Sequence, residues 1–148
     1  MSLTDAEHRT LACVAALMIP ASTRHGVPGA DDPAILGDMA RSLGRDAPAI
    51  RSALARLDVL AGGSLPDAAP AQRGQAASAF RAEGGVPLAT LTRVILQSYY
   101  RDDRVMRALG MEPRPPFPKG HEVAQGDWSL LDPVRDRAKV WRDVPPDA

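Results

Sequence analysis

The sequence predicts an all-α fold: a bundle of five or six short helices followed by a long, proline-rich, extended C-terminal arm. Three observations predict it. Apolar residues recur at i, i+3/4 and i+7 in one segment after another. Most of these segments open on a capping residue or a proline and close on glycine or proline. Hydrophobic residues make up 45% of the chain but aromatics only 4%. The core must therefore be built mainly from Ala, Leu, Val, Ile and Met, which suits packed helices better than sheets. No stretch alternates cleanly with period two, and no internal repeat is evident.

The first helix opens at "LTDAEHRT", where Thr4 and Glu7 have capping-box spacing. Leu11, Val14 or Ala15, and Met18 make its apolar side, and Pro20 ends it. "ASTRHGVPGA" reads as a loop, with two glycines and a proline in ten residues. The second helix has Asp32 as N-cap and Pro33 at its first position. Ile35, Met39 and Leu43 form its apolar side before Gly44. The third starts around Pro48, carries Ile50, Leu54, Leu57 and Leu60 on one face, and closes at Gly62-Gly63.

"SLPDAAPAQ" reads as a connector. The fourth helix, "AQRGQAASAFRAEGG", is weak because Gly74 costs about 1 kcal/mol relative to Ala; Phe80 anchors it. "VPLATLTRVILQSYYRDDRVMRALG" is the strongest helical segment, with Leu88, Leu91, Ile95 and Tyr99 at helical spacing. Asp102-Asp103 restarts a short helix carrying Val105, Met106 and Leu109 before Gly110.

The arm is a different material. "EPRPPFPKG" has four prolines in nine residues, which remove donors and force extended geometry. A turn of helix is expected after Pro133, with Val134, Arg137 or Ala138 and Trp141 on one side. Five of the six aromatic residues (Tyr99, Tyr100, Phe117, Trp128, Trp141) lie in the last 50 positions. The organisation expected is a helical bundle over 1–110 and an arm over 111–148. So irregular a segment has little means of burying its own tryptophans. Either it wraps over its own bundle or it runs across a second protein, and the two placements are compatible, one for each half. Trp, Tyr, Phe, Met and Arg are the types enriched at interface centres, and a proline-rich arm loses less entropy on binding than a flexible one. The partner-interface residues expected are Tyr99, Tyr100, Arg104, Met111, Arg114, Pro116, Phe117, Trp128, Leu131 and Trp141. Of the two tyrosines, one is expected in the core and the other at the interface.

The totals narrow the function. The 148 residues suffice for one domain with one core. Eighteen basic residues balance eighteen acidic ones, which argues against nucleic acid as a partner. The single cysteine, Cys13, rules out an internal disulfide or a Cys-based zinc site and reads as a small buried hydrophobe. No run of about 20 apolar residues exists to enter a membrane. His8, His25 and His121 stand in separate segments, without a second ligand at helical spacing. Lys119, His121, Glu122 and Asp127 gather polar groups in one loop, but such residues are usually solvated. No GxSxG, GxGxxG, Walker A or CxxC occurs. "RDDR", Arg101–Arg104, reads as a charged cap network at a helix junction or as a solvated turn.

Three features together resemble the gluconate 2-dehydrogenase subunit 3 family, small subunits that accompany flavin-dependent dehydrogenases of the glucose–methanol–choline type. The first is a helix running into "LMIPAS" and the loop "VPGADD". The second is the helix end "SYYRDDRVMRALG". The third is "PRPPFP" followed by "DWSLLDPVRDRAKVW". The resemblance is spread over most of the chain; each motif is short, and their order and spacing carry it. It implies a helical, non-catalytic subunit that stabilises or matures a large subunit oxidising a sugar or alcohol hydroxyl. No cofactor is expected in this chain, and FAD is expected in the partner. Many members begin with a twin-arginine export signal, which this sequence lacks. The expected location is the cytoplasm for the chain as written, and the periplasm in the case of export with a partner or of a removed signal. The rival readings are a stand-alone helical regulatory or binding protein without a flavoprotein partner, and an enzyme using the loop around His121.

Overall fold

A computed structural model describes residues 3–113 and 124–142. The expected all-α fold is what it shows. Among the described residues there is no strand, only one antiparallel bridge between Ser22 and Val27. The helices are α1 (Asp5–Met18), α2 (Pro33–Ser42), α3 (Ala47–Leu60), α4 (Pro70–Glu83), α5 (Gly85–Arg101), α6 (Asp103–Ala108) and α7 (Asp132–Arg135). The chain divides into two units, Met1–Arg114 and Pro115–Ala148.

In the first unit, local chemistry sets the helix starts. At α1, Thr4 Oγ1 accepts from Glu7 N at 3.2 Å, and Glu7 Oε2 accepts from Thr4 N at 2.7 Å. This reciprocal cap satisfies two donors that the first turn leaves unpaired. At α2, Asp32 Oδ1 accepts from Ala34 N at 2.9 Å, with Pro33 at the first helical position. A 3-10 turn, Gly44–Asp46, leads directly into α3, where Pro48 occupies the first turn.

Helix α3 packs against α1, α4 and α5, while α2 and α6 both lie on α5. Leu11, Ile35, Met39, Ile50, Leu54, Leu57, Leu91, Ile95 and Val105 are fully buried between them. Phe80 anchors α4 in this core. Each such aliphatic side chain contributes roughly 1.5–3 kcal/mol through burial.

Three expectations need correction. "SLPDAAPAQ" is more than a connector: it holds a 3-10 turn, Leu65–Asp67, and Leu65 is fully buried. A buried Thr10 hydroxyl on α1 donates to Asp58 of α3 at 3.1 Å, and the same carboxylate accepts from Leu65 N at 2.9 Å. Arg73 of α4 closes the loop by donating to the Pro66 and Ala68 carbonyls at 2.6 and 2.9 Å. Next, Met18 and Leu109, assigned to apolar sides, are exposed. Helix α1 stops at Met18 and α6 at Ala108, so both side chains stand at helix ends. In the arm, the helical turn runs only over Asp132–Arg135, and no regular structure continues to Trp141.

Candidate functional site

Two of the three sequence features read as a family signature, "LMIPAS…VPGADD" and "SYYRDDRVMRALG", about 70 residues apart, meet at one place in the first unit. The loop that leaves α1 doubles back through paired hydrogen bonds between Ser22 and Val27 at 3.0 and 3.1 Å. Ala30 N then donates to the Ile19 carbonyl at 2.9 Å, bringing "VPGADD" against "LMIPAS". Gly29 sits where these two strips touch. A Cβ there would lie 2.9 Å from Ala21 N and 3.3 Å from Ile19 O, so this close approach excludes a side chain.

The end of α5 holds this loop in place. Tyr99 is buried, and its hydroxyl donates to the Pro28 carbonyl at 3.2 Å. Burial pushes its phenol up from the ordinary value, with smaller contributions from Tyr100 and Asp102. Tyr100 stacks edge-on against it, centroids 5.2 Å apart, and is itself 53% exposed. One ring therefore belongs to the core and the other does not: Tyr99 is buried, and Tyr100 is exposed. Leu96, one turn earlier on α5, is also exposed, at the i, i+4 spacing that places it beside Tyr100.

One turn further, "RDDR" forms a network of helix caps. Asp102 caps α6 by accepting from Arg104 N at 2.9 Å. The Arg104 guanidinium grips Asp102 through Nε and Nη2, both at 2.9 Å. Its Nη1 and Nη2 also reach the α2 cap, Asp32, at 3.0 and 2.8 Å. Hydrogen bonding from Arg104 is the main reason that both carboxyls lie below their usual range. In turn, the two carboxylates raise the guanidinium. Arg101 pairs with Asp38 of α2. With Arg104 shared between two carboxylates and Arg101 on a third, the network ties α2, α5 and α6 together. Among the described residues, no group of three or more His, Cys, Asp or Glu side chains could hold a metal. Cys13 is half-buried, and desolvation raises its thiol.

Beyond the network, Leu109 and Met111 are exposed. Arg114, Pro116 and Phe117 lie outside the described residues, as do Lys119, His121 and Glu122. In the second unit, a 3-10 turn, Trp128–Leu131, runs into α7. Local side-chain hydrogen bonds shape it: Ser129 N and Oγ donate to Asp127 at 3.0 and 2.6 Å, and Trp128 Nε1 donates to Gln125 at 3.4 Å. Lys139 Nζ lies 5.6 Å from the Trp141 ring centroid. Trp128 is 63% exposed and Trp141 68% exposed, and Leu130, Leu131, Val134 and Val140 are exposed with them.

Comparison with protein-family models, with curated proteins and with solved structures gives no match to this chain. The site is therefore read from its own chemistry. Tyr100, Trp128, Leu131 and Trp141, singled out in the sequence by size and position, are exposed. Sequence reasoning missed Thr10, Asp58 and the pairing of Asp32 with Arg104. A buried polar side chain on an apolar helix face signals the first, but a partner far along the chain leaves no local trace. Among the described residues, no helix is long and apolar enough to cross a membrane.

Proposed function

We propose that this chain is the non-catalytic small subunit of a heteromeric FAD-dependent dehydrogenase acting on sugar or alcohol hydroxyls. The arm docks on the large subunit and stabilises or matures it, and the flavin resides in that partner. The observation that carries the reading is the exposure of both tryptophans together with four aliphatic side chains in residues 124–142. Apolar groups of that size clustered on one short segment mark a surface awaiting cover. Further support comes from the resemblance of "VPGADD" and "SYYRDDRVMRALG" to the family's motifs. In this chain those motifs fasten to each other through Tyr99–Pro28 and Arg104–Asp32, which gives them a reason to occur together.

Co-expression with the genes that neighbour its own tests the reading. A tag on this chain should retain a flavin-containing large subunit. Recovery of the chain alone, as a monomer whose tryptophans are protected from a soluble quencher, would favour a stand-alone binding protein.

A further inference from the structure

An apolar groove of about 520 Å³ opens on the first unit, between the end of α1, α4 and the start of α5. Val14, Leu57, Phe80 and Leu91 form its buried floor, and Leu17 and Met18 stand exposed on its wall. Arg81 lines its edge. Most arginines of this unit are paired with carboxylates: Arg9 with Asp67, Arg51 with Glu7, Arg56 with Glu83, Arg93 with Asp46. Arg81 makes no hydrogen bond or ion pair among the described residues. The first turn of α5 holds no acidic residue, and its N-cap, Gly84, supplies no side-chain acceptor. The groove is therefore greasy inside and positive along one edge, without an internal counter-charge.

We infer that this groove binds an amphipathic helix of a partner protein. The helix carries aliphatic or aromatic residues at i, i+3/4 and i+7 and carboxylates at the end that meets Arg81. A helix fits better than a strand, because the walls are helices and the described residues offer no sheet edge for strand addition. Met18 and Leu17, flexible and unbranched at Cβ, suit a surface that repacks around such anchors. The groove belongs to the first unit, so this inference stands whether or not the arm meets a flavoprotein.

The test uses the full chain and two fluorescein-labelled designed peptides of about 15 residues, long enough for helix formation. Both carry leucines at i, i+4, i+7 and i+11; one ends in three glutamates and the other in three lysines. By fluorescence anisotropy, the glutamate peptide should bind saturably, and the lysine peptide about three- to tenfold more weakly, the scale expected of a solvent-exposed charge contact aided by a helix end. Leu17→Asp, at an exposed position, should abolish binding with the circular dichroism spectrum unchanged. Arg81→Glu should reverse the preference between the peptides, which distinguishes a lost contact from a lost fold. Absence of saturable binding, or a charge preference untouched by Arg81→Glu, overturns the inference. So does a concentration-dependent dimer dissolved by Leu17→Asp, which would assign the groove to a second copy.

Discussion

Asp32 and Arg104 lie 72 positions apart and are joined by a two-pronged hydrogen bond, with contacts of 2.8 and 3.0 Å. Each residue already serves a helix start: Asp32 caps α2, and Arg104 belongs to the first turn of α6 that Asp102 caps. One guanidinium thus ties two caps together, and two helix starts become a single junction. The planar fork of arginine allows this, because its donors can meet two carboxylates side by side.

The roles of Asp32 separate by substitution. Asp32→Asn keeps a capping oxygen and loses the charge pairing, while Asp32→Ala loses both. Urea unfolding should therefore rank wild type above Asp32→Asn and Asp32→Asn above Asp32→Ala, the last step costing about 1 kcal/mol. In a double-mutant cycle, Asp32→Asn and Arg104→Gln should be non-additive. Additive effects would mean that the fork contributes nothing.

Acid should weaken the same junction. Asp32 and Asp102 have folded-state pKa values held below the usual carboxylate value, first by Arg104. A carboxyl depressed in the folded state contributes stability above its unfolded pKa, about 3.9, and loses that contribution as pH falls through the folded value. Asp67 and Glu83, lowered chiefly by Ser64 and Arg56 respectively, act in the same direction. The thermal midpoint should be level between pH 7 and pH 5 and drop below about pH 4. Arg104→Gln should make that drop shallower without abolishing it. An unchanged slope in the variant would contradict the network.

Asp58 is the polar key of the core. Asp58→Ala strands the buried Thr10 hydroxyl and Leu65 N together, at a cost of about 1–3 kcal/mol for each group left unsatisfied. Asp58→Asn, which still accepts, should lose much less. Equal losses for the two variants by denaturant unfolding would show that the carboxylate's charge, not its hydrogen bonding, matters there.

The paired tyrosines should behave oppositely. Tyr99→Phe removes the hydrogen bond to Pro28 and should cost about 1 kcal/mol, with more rapid amide exchange in the loop 21–31. Tyr100→Ala, at an exposed ring, should leave stability within about 0.5 kcal/mol and weaken large-subunit capture.

Much of the helical unit was legible because its signals are local. Thr4 with Glu7, Asp32 with Pro33, and the periodic Ile35, Met39 and Leu43 each fall within two turns of helix. Leu65 was not legible, since a lone leucine between Gly-Gly-Ser and a proline carries no period; tertiary packing draws it inside. Nor was the Arg104–Asp32 fork, because sequence distance conceals spatial proximity. Exposure of Leu109 followed from the helix ending one residue before it. In the arm, residue size pointed to Trp128 and Trp141, and their surroundings could not be read from a segment without periodicity.

Capture of a flavoprotein through the arm is the central claim, and one measurement addresses it directly. The full chain and a Trp128→Ala/Leu131→Ala/Trp141→Ala variant, each tagged and co-expressed with the genes that neighbour its own, are compared for the flavin absorbance that co-purifies per mole of tag. The account predicts stoichiometric flavin with the wild type and a loss of most of it with the variant, at unchanged helicity. Undiminished flavin with the variant, or none with the wild type, would contradict it.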